Sequence, residues 1–256
     1  DGALYVLDYY RRVIESPEWM SEEAIKAGGL YDGSDMGRIY RISAEGQQPA
    51  SWTKGLSLGK ESSENLVKHL SNKNSWWRNN SQRLLVNRKD KRALPALNEM
   101  AVNPQSPMGR LHALWTLEGL GELRFEHIQQ ALKDKESGVR ENAVKLAEIH
   151  LKDYPQLNNS LLSIQNDTDP KVRLQLLLTL GYIDTKESTI ARNKLLFKDI
   201  NDKWVQIAAL TAVSSQTESV LQNVINKYRS DIPAYASLVQ RTSTMIANRG
   251  DQKAIA

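Results

Sequence analysis

The chain contains no cysteine and no long apolar run. Without thiols, these 256 residues cannot form disulfides, thiolate zinc sites, haem attachments of the Cys-x-x-Cys-His kind or cysteine nucleophiles. No apolar stretch approaches the roughly 20 residues that cross a bilayer, and the first residues have no signal-peptide pattern. We therefore expect a folded chain without a membrane span, either processed or excised from a longer one, since it opens at Asp1 without Met.

A large excess of one charge is also missing. Lysine and arginine number 34 against 30 acids, which leaves a net charge of +4. A hydrophobic content of 40% is enough for a continuous core, and the 25% of charged residues has both signs mixed, unlike a disordered chain. The charge permits a nucleic-acid or anionic partner, but an ordinary mildly basic surface explains it equally well.

Residues 1–45 differ from the rest of the chain. Residues 3–7 are rich in β-formers, and residues 38–42 alternate after the turn residues 32–35, so we predict two short strands. The capping-type stretch at residues 21–23 predicts one short helical turn between them. Two strands cannot bury both faces of a sheet, so this segment must pack against something else. Residues 46–60 are predicted to be a linker.

Residues 61–250 contain an internal repeat. A polar capping residue recurs four positions before an arginine column, and the arginine positions are 30 to 33 residues apart. The capping residues are Asn74, Ser106, Glu136, Asp169 and Asp202, and the column is Arg78, Arg110, Arg140, Arg173 and Gln206. Two further columns share the helical face: Ser81, Ala113, Ala143, Leu176 and Ala209, then Leu85, Leu117, Ala147, Leu180 and Val213. A separate column with the same period contains Leu70, Met100, Leu132, Ile164 and Phe197.

These columns predict paired helices. Pro107 and Pro170 follow their caps directly, at the first helical position, where the missing N–H costs nothing. Each cap therefore begins the second helix of a pair, and the small and apolar columns fill the layers between pairs. We predict an all-α fold, a right-handed α-α superhelix of about six helix pairs, with a short two-stranded β segment at the N-terminus.

The arrangement of cap, Val-Arg and small residues in 137–143 and 169–180 resembles the HEAT-repeat family of armadillo-like solenoids. The resemblance implies a hydrogen-bonded ladder of turn acids and helix arginines in successive repeats. Asp169 with Arg173 and Glu136 with Arg140 match that ladder. Asn74, Ser106 and Gln206 depart from it, so the ladder is expected to be broken at both ends.

The order of segments has a second resemblance. Residues 1–6, 14–19, 37–42 and 113–121 follow one another as in bacterial proteins described as putative membrane-bound dehydrogenases. That family joins a glucose/sorbosone dehydrogenase-type propeller to HEAT repeats and commonly to a c-type cytochrome. The resemblance implies that residues 1–45 are the last propeller strands and that the location is extracytoplasmic, periplasmic or membrane-associated. It transfers no catalytic residue, because no quinone, calcium or haem motif can be placed on this chain.

Candidate site residues lie on the second helices, where bulky and basic side chains could line the concave wall of a superhelix. They are Trp77, Arg78, Arg110, Trp115, Arg140, Arg173 and Trp204. Two alternatives stand beside this interpretation: the tryptophans fill the layers between repeats, and the ladder consumes the arginines. Half-exposed tryptophans on such a wall are typical of protein-binding hot spots.

We expect no catalytic, cofactor-binding or metal-binding residue in this chain. The four histidines fall at unrelated helical phases, and residues 32–35 lack the further acids of a calcium loop. The favoured function is a scaffold that binds a protein or a neighbouring domain. The alternatives are a fragment of a quinoprotein-type sugar or alcohol oxidoreductase, whose catalytic part lies elsewhere, and a nucleic-acid-binding repeat. Interleaved acids argue against the last of these: Glu118, Glu122, Glu141 and Glu148.

Overall fold

The computed structural model describes residues 3–48, 50–51, 54–211 and 217–249. The chain divides into two compact units, Asp1–Leu58 and Gly59–Ala256. Each unit is described by itself. The predictions that involve Asp1, Gly2, Val213 and Gly250 lie outside the described residues.

The first unit contains the two predicted strands. Strand β1, Leu4–Asp8, pairs antiparallel with β2, Arg38–Ile42. No residue of these two described strands is buried. Leu7 and Ile39 lie directly opposite each other, and their side chains are 69% and 70% exposed. The expectation that this ribbon packs against another surface remains a prediction.

A short helical segment connects the strands. A 3₁₀ turn at Pro17–Trp19 precedes helix α1, Glu22–Lys26. The Ser21 hydroxyl accepts a hydrogen bond from the Ala24 N–H, which caps the helix. The predicted helical turn is confirmed.

The second unit has twelve described α-helices, which follow one another as six pairs. The pairs are α2 Ser63–His69 with α3 Ser75–Arg88, α4 Leu94–Ala101 with α5 Pro107–Gly119, α6 Phe125–Ala131 with α7 Ser137–Ile149, α8 Leu157–Ser163 with α9 Pro170–Thr179, α10 Lys186–Lys198 with α11 Lys203–Ala209, and α12 Thr217–Asn226 with α13 Pro233–Arg249. Short 3₁₀ turns occur at Leu58–Lys60, Lys91–Ala93 and Leu180–Tyr182. No strand occurs in the described part of residues 59–249. The fold class is all-α with a two-stranded N-terminal sheet; the right-handed superhelix remains a prediction.

The second helices begin where the caps predict. The five caps Asn74, Ser106, Glu136, Asp169 and Asp202 are the residues before α3, α5, α7, α9 and α11. Four of these side chains accept a first-turn backbone N–H, whereas Glu136 makes no such bond. Pro107 and Pro170 are the first residues of their helices. The polar-cap column was therefore interpreted correctly.

Consecutive helix pairs pack on one another mainly through their second helices. The second helices contact one another in the order α3, α5, α7, α9 and α11, and each also contacts a first helix. The small column is buried throughout: Ser81, Ala113, Ala143, Leu176 and Ala209. The apolar column is equally buried at its described members: Leu85, Leu117, Ala147 and Leu180. These two columns form the core between pairs.

Glycine is required at the end of α5. Gly121 has φ +70, its N–H bonds the Glu118 carbonyl, and the Glu122 N–H bonds the Leu117 carbonyl. This pair of bonds is a Schellman motif, which ends the helix with a left-handed residue.

Gly119 is required for a different reason, the close approach of two helices. A Cβ on Gly119 would stand 2.7 Å from Val86, so α5 and α3 approach too closely there for a larger residue.

Candidate binding face

An arginine in each central second helix connects two helix pairs. Arg140 donates from Nε and Nη2 to the two carboxylate oxygens of Asp167, at 2.6 and 2.8 Å. Its Nη1 donates to the carbonyl oxygens of Asp134 and Lys135, in the turn that precedes its own helix. The guanidinium therefore ties its own turn to the turn of the next pair, through a bidentate ion pair.

The same arrangement repeats on either side. Arg110 binds Asp134 through Nε and Nη2 at 2.6 and 2.7 Å, and Arg173 binds Asp199 at 2.9 Å through Nε. Burial by itself would raise the pKa of the Asp167 carboxyl. The hydrogen bonds from Arg140 and from the Asp169 N–H have the opposite and larger effect, so the pKa lies below its ordinary value. The three central arginines thus form a row of charged links between consecutive pairs.

The predicted acids of this ladder were wrong. Asp169 does not bind Arg173; its Oδ1 accepts the backbone N–H groups of Lys171 and Val172 at the start of α9. Glu136 likewise stands at the cap position of α7, and Arg140 donates to Asp167 instead. An acid four residues before the arginine lies at the helix N-terminus, so its carboxylate faces first-turn N–H groups. The acid two or three residues earlier faces the preceding pair.

The ladder changes at Arg78 and Gln206, as predicted, but the departure expected at Ser106 was wrong, because Arg110 keeps its ion pair with Asp134. Arg78 donates from Nε to His112 Nε2 at 3.2 Å, and the Gln206 side-chain amide donates to the Ile200 carbonyl at 2.8 Å. Burial lowers the pKa of His112, and the Arg78 charge lowers it further, which suits a neutral ring that accepts from Arg78. His112 Nδ1 lies 2.7 Å from Gln82 Oε1. Uncharged partners therefore replace the ion pair in the outer repeats.

The candidate arginines hold the fold together more than they offer a surface. Arg110 and Arg173 are 4% and 8% exposed, and Arg140 is partly buried with all three of its nitrogens hydrogen-bonded. Their contacts support the alternative in which the arginines are engaged by hydrogen bonds within the ladder. The structure brings them into one row, but their donors point at aspartates and carbonyls.

The three candidate tryptophans have different surroundings. The Trp77 ring lies 4.7 Å from the His69 ring and is partly buried. The Trp115 indole N–H donates to Asn142 Oδ1 at 2.9 Å, which links α5 to α7. Trp204, in contrast, is 67% exposed in the first turn of α11. Only Trp204 of the three combines a large apolar surface with wide access to solvent.

Two exposed residues escaped the candidate set. Trp76 and Met108 are 42% and 43% exposed and stand two residues after their caps, the same position that Trp204 occupies. The other members of this column are Gly138 and Lys171, also exposed. The signal was available in the sequence, since the column follows from the same cap alignment. We call Trp76, Met108, Gly138, Lys171 and Trp204 the second-helix face.

A cleft of about 640 Å³ adjoins this face. It lies between the starts of α9 and α11, the turn before α11 and the turn before α13. Its apolar lining comes from Leu174, Phe197, Ile200, Val205, Ile232 and Tyr235, and Lys171 and Asp202 stand at its polar side. Its size is that of pockets that accept ligands or anchoring side chains. An apolar side chain of a partner that contacts Trp204 could enter it.

The acids on the second helices are neutralised locally. Glu141 pairs with Lys145 at 2.7 Å, and Glu118 Oε2 lies 2.6 Å from His150 Nε2. Burial lowers the pKa of His150, but its hydrogen bonds to Glu118 and Asp153 outweigh this and raise the pKa above its ordinary value. These acids on the second helices therefore add little net negative charge near the apolar groups of the second-helix face.

Comparison with known families identifies only the first unit. Residues 1–46 match a domain of unknown function, DUF7133. The match contains β1, α1 and β2 and ends before the helix pairs begin. No curated protein matches the chain.

No group of three or more His, Asp or Glu side chains in the described ranges is placed to hold a metal ion, including the turn at residues 32–35. No helix among the described residues is long and apolar enough to cross a membrane.

Proposed function

We propose that the helix pairs form a HEAT-type scaffold whose second-helix face binds a protein partner or a neighbouring domain. The observation that carries the proposal is the 67% exposure of Trp204, whose neighbour Val205 lines a cleft of mixed apolar and charged character. Trp76 and Met108 repeat the exposed position on α3 and α5. Three large apolar side chains thus occupy the same helix position, with Gly138 and Lys171 at the two positions between Met108 and Trp204, and such a surface suits an extended protein interface.

The energy that such a face can contribute is large. A tryptophan buries about 150–250 Å² when covered, and apolar burial stabilises a complex by about 25 cal/mol per Å². Because Trp204 is already about one-third covered in the free chain, at 67% exposure, covering the rest removes about 100–170 Å² from water and contributes about 2.5–4 kcal/mol at most. That is the range of a binding hot spot, in which tryptophan is enriched.

A protein partner is favoured over a nucleic acid. Phosphate binding needs cations that are available to the ligand, whereas Arg110, Arg140 and Arg173 are engaged by aspartates. The tryptophans and the cleft instead offer apolar contact area. The arginine column therefore gives the nucleic-acid alternative no support.

We further propose that this scaffold belongs to a larger, dehydrogenase-like bacterial protein outside the cytoplasm. Two features support this: the order of segments resembles that family, and the ribbon in residues 1–46 belongs to a separately defined domain. The exposed strands β1 and β2 fit a sheet that is completed by other strands. In that protein the helix pairs hold a neighbouring domain, and the oxidoreductase chemistry, with its quinone or haem, belongs to the other domains.

The scaffold function can be tested by affinity capture and crosslinking from extracts of the source cells. The test variant is Trp76→Ala with Trp204→Ala, and the matched control is Ile149→Ala with Tyr182→Ala. The control residues are 53% and 68% exposed but lie outside the second-helix face. Equal melting temperatures of all three proteins establish that the fold is intact.

The expected result is one specific set of captured proteins that the control retains and the tryptophan variant loses by about tenfold or more. Capture that is identical for all three proteins would show that this face is not the binding surface. The parent-protein proposal has its own test: the complete gene should encode propeller repeats before the ribbon and a haem motif after the helices.

A further inference from the structure

The groove between the first helices α10 and α12 is lined by cations, polar groups and one aromatic ring. Its volume is about 540 Å³, and it contains no residue of the second-helix face, although Phe197 lines both this groove and the cleft that adjoins that face. The lining residues are Lys186, Thr189, Ile190, Asn193, Lys194, Phe197, Ser219, Asn223 and Lys227. No acid belongs to this set. The groove is therefore a concentrated positive site on a chain whose net charge is only +4.

The three lysines are available to a ligand. Lys186, Lys194 and Lys227 are exposed, and none lies within ion-pair distance of a carboxylate in the described part of the chain. The acid next to the groove, Glu218, is held by Arg249 at 3.1 Å. This differs from the arginine ladder, where aspartates neutralise each cation. The lysines thus face solvent with unneutralised charge.

The apolar part of the groove has a specific shape. Lys227 Nζ lies 4.3 Å from the centre of the Phe197 ring, and the Tyr235 ring stacks against the same ring at 6.1 Å and 24°. Lys227 and Tyr235 therefore both contact Phe197 and leave less of its ring to a ligand. Ile190, 58% exposed, stands about two turns earlier on α10. These contacts disfavour the stacking of a base on this ring, whereas an aliphatic side chain could contact the ring edge and Ile190.

A buried acceptor provides a third constraint. Asn193 Oδ1 is buried and has no hydrogen-bond partner among the described residues. A buried polar atom without a partner is costly, so a ligand that brings a donor gains from this position. A polypeptide backbone carries an N–H at nearly every residue, whereas a phosphodiester backbone carries only acceptors. The acceptor therefore favours a peptide ligand.

We propose that this groove binds an extended acidic peptide segment of a partner protein. Its carboxylates pair with Lys186, Lys194 and Lys227, an aliphatic side chain covers Ile190 and the edge of Phe197, and a main-chain N–H donates to Asn193 Oδ1. Lys186 and Lys194 are eight residues apart on one face of α10, about 12 Å. An extended chain covers that distance with about four residues, which sets the spacing of the acids.

The site is independent of the second-helix face, and the experiment keeps the two apart. The probe is a fluorescein-labelled acidic peptide of about ten residues, with glutamates about four residues apart around a central leucine. Binding to the full chain is followed by fluorescence anisotropy. The test variant is K186Q/K194Q/K227Q. The control variant K133Q/K135Q/K152Q removes the same charge from exposed lysines elsewhere. The Trp204→Ala protein is included as a second control.

The expected result is saturable binding to the wild type, the control and Trp204→Ala, and a loss of at least about tenfold in the test variant. Replacing the central leucine of the probe by serine should also weaken binding. Equal losses in the two lysine variants would reduce the effect to net charge and overturn the proposal. No binding by the wild type, or a single-stranded oligonucleotide that competes more strongly than the unlabelled peptide, would overturn it as well. All variants change exposed side chains, and matching thermal unfolding curves would establish their folding.

Discussion

Breaking one link of the ladder should destabilise the helix pairs measurably. Asp167 is 6% exposed and binds Arg140, 14% exposed, through two bonds of 2.6 and 2.8 Å. Removing one partner of a buried pair typically costs about 3–5 kcal/mol. For Asp167→Asn we expect about 3 kcal/mol, at the low end, because Arg140 keeps the carbonyl oxygens of Asp134 and Lys135.

The assay is equilibrium urea unfolding at pH 7, monitored by circular dichroism and by tryptophan fluorescence. A double-mutant cycle with Arg140→Met isolates the pair, and the expected coupling is about 1–3 kcal/mol. The matched control is Asp169→Asn, which removes the same charge two residues away but keeps a good N-cap. That control should cost less than about 1 kcal/mol.

Acid provides an independent check. The pKa of Asp167 is lowered from its ordinary value of 3.8, so the carboxylate stabilises the folded state above that pH. The contribution disappears as the pH falls through the lowered folded-state value. The difference between wild type and Asp167→Asn should therefore shrink below pH 3.8. Additive single variants, or a larger effect for Asp169→Asn than for Asp167→Asn, would refute the assignment of the ladder acid.

Three further changes test the packing, the pH response and the helix end. Ala143→Phe, at a fully buried position, should lower the free energy of unfolding by about 1–3 kcal/mol through overpacking, whereas Ile149→Phe at an exposed position should change it little. The pKa of His150 is raised, so its pairing with Glu118 stabilises the folded state fully below the ordinary value of 6.5, and this stabilisation is lost as the pH rises through the folded-state value. In urea unfolding, the wild type should therefore be more stable than His150→Gln at mildly acidic pH, and this difference should become smaller at alkaline pH. A difference that does not change with pH would contradict the pairing. Gly121→Ala should cost about 1 kcal/mol in thermal unfolding, because Gly121 has φ +70 and open space around its Cβ position, so only backbone strain is added; an equally stable variant would exclude the left-handed cap.

Local patterns in the sequence were sufficient for the helix pairs. Caps such as Asp169 accept the N–H groups of their own first turn, and Pro170 only stabilises a first helical position, so both act within a few residues. The burial of Ala143 and Leu117 follows from helical periodicity in the same way. These features need no knowledge of the neighbouring pair.

The site could not be derived in this manner. Whether Arg140 meets Glu136 or Asp167 depends on the offset between consecutive pairs, and Asp167 lies 27 residues away. The exposure of Trp204 and the hydrogen bond from Trp115 likewise depend on how consecutive pairs are placed against each other. The composition of the sequence and the spacing of its residues would be the same whether Arg140 met Glu136 or Asp167.

The sequence by itself determined where helices start, which face of each is apolar and that the pairs recur, because capping and periodicity are short-range properties of one chain segment. Tertiary structure alone decided which carboxylate each arginine binds, which tryptophans reach solvent and that Lys186, Lys194 and Lys227 converge on one groove. The physical reason is that these contacts join residues of different helix pairs, whose relative placement is set by side-chain packing across the layer between them.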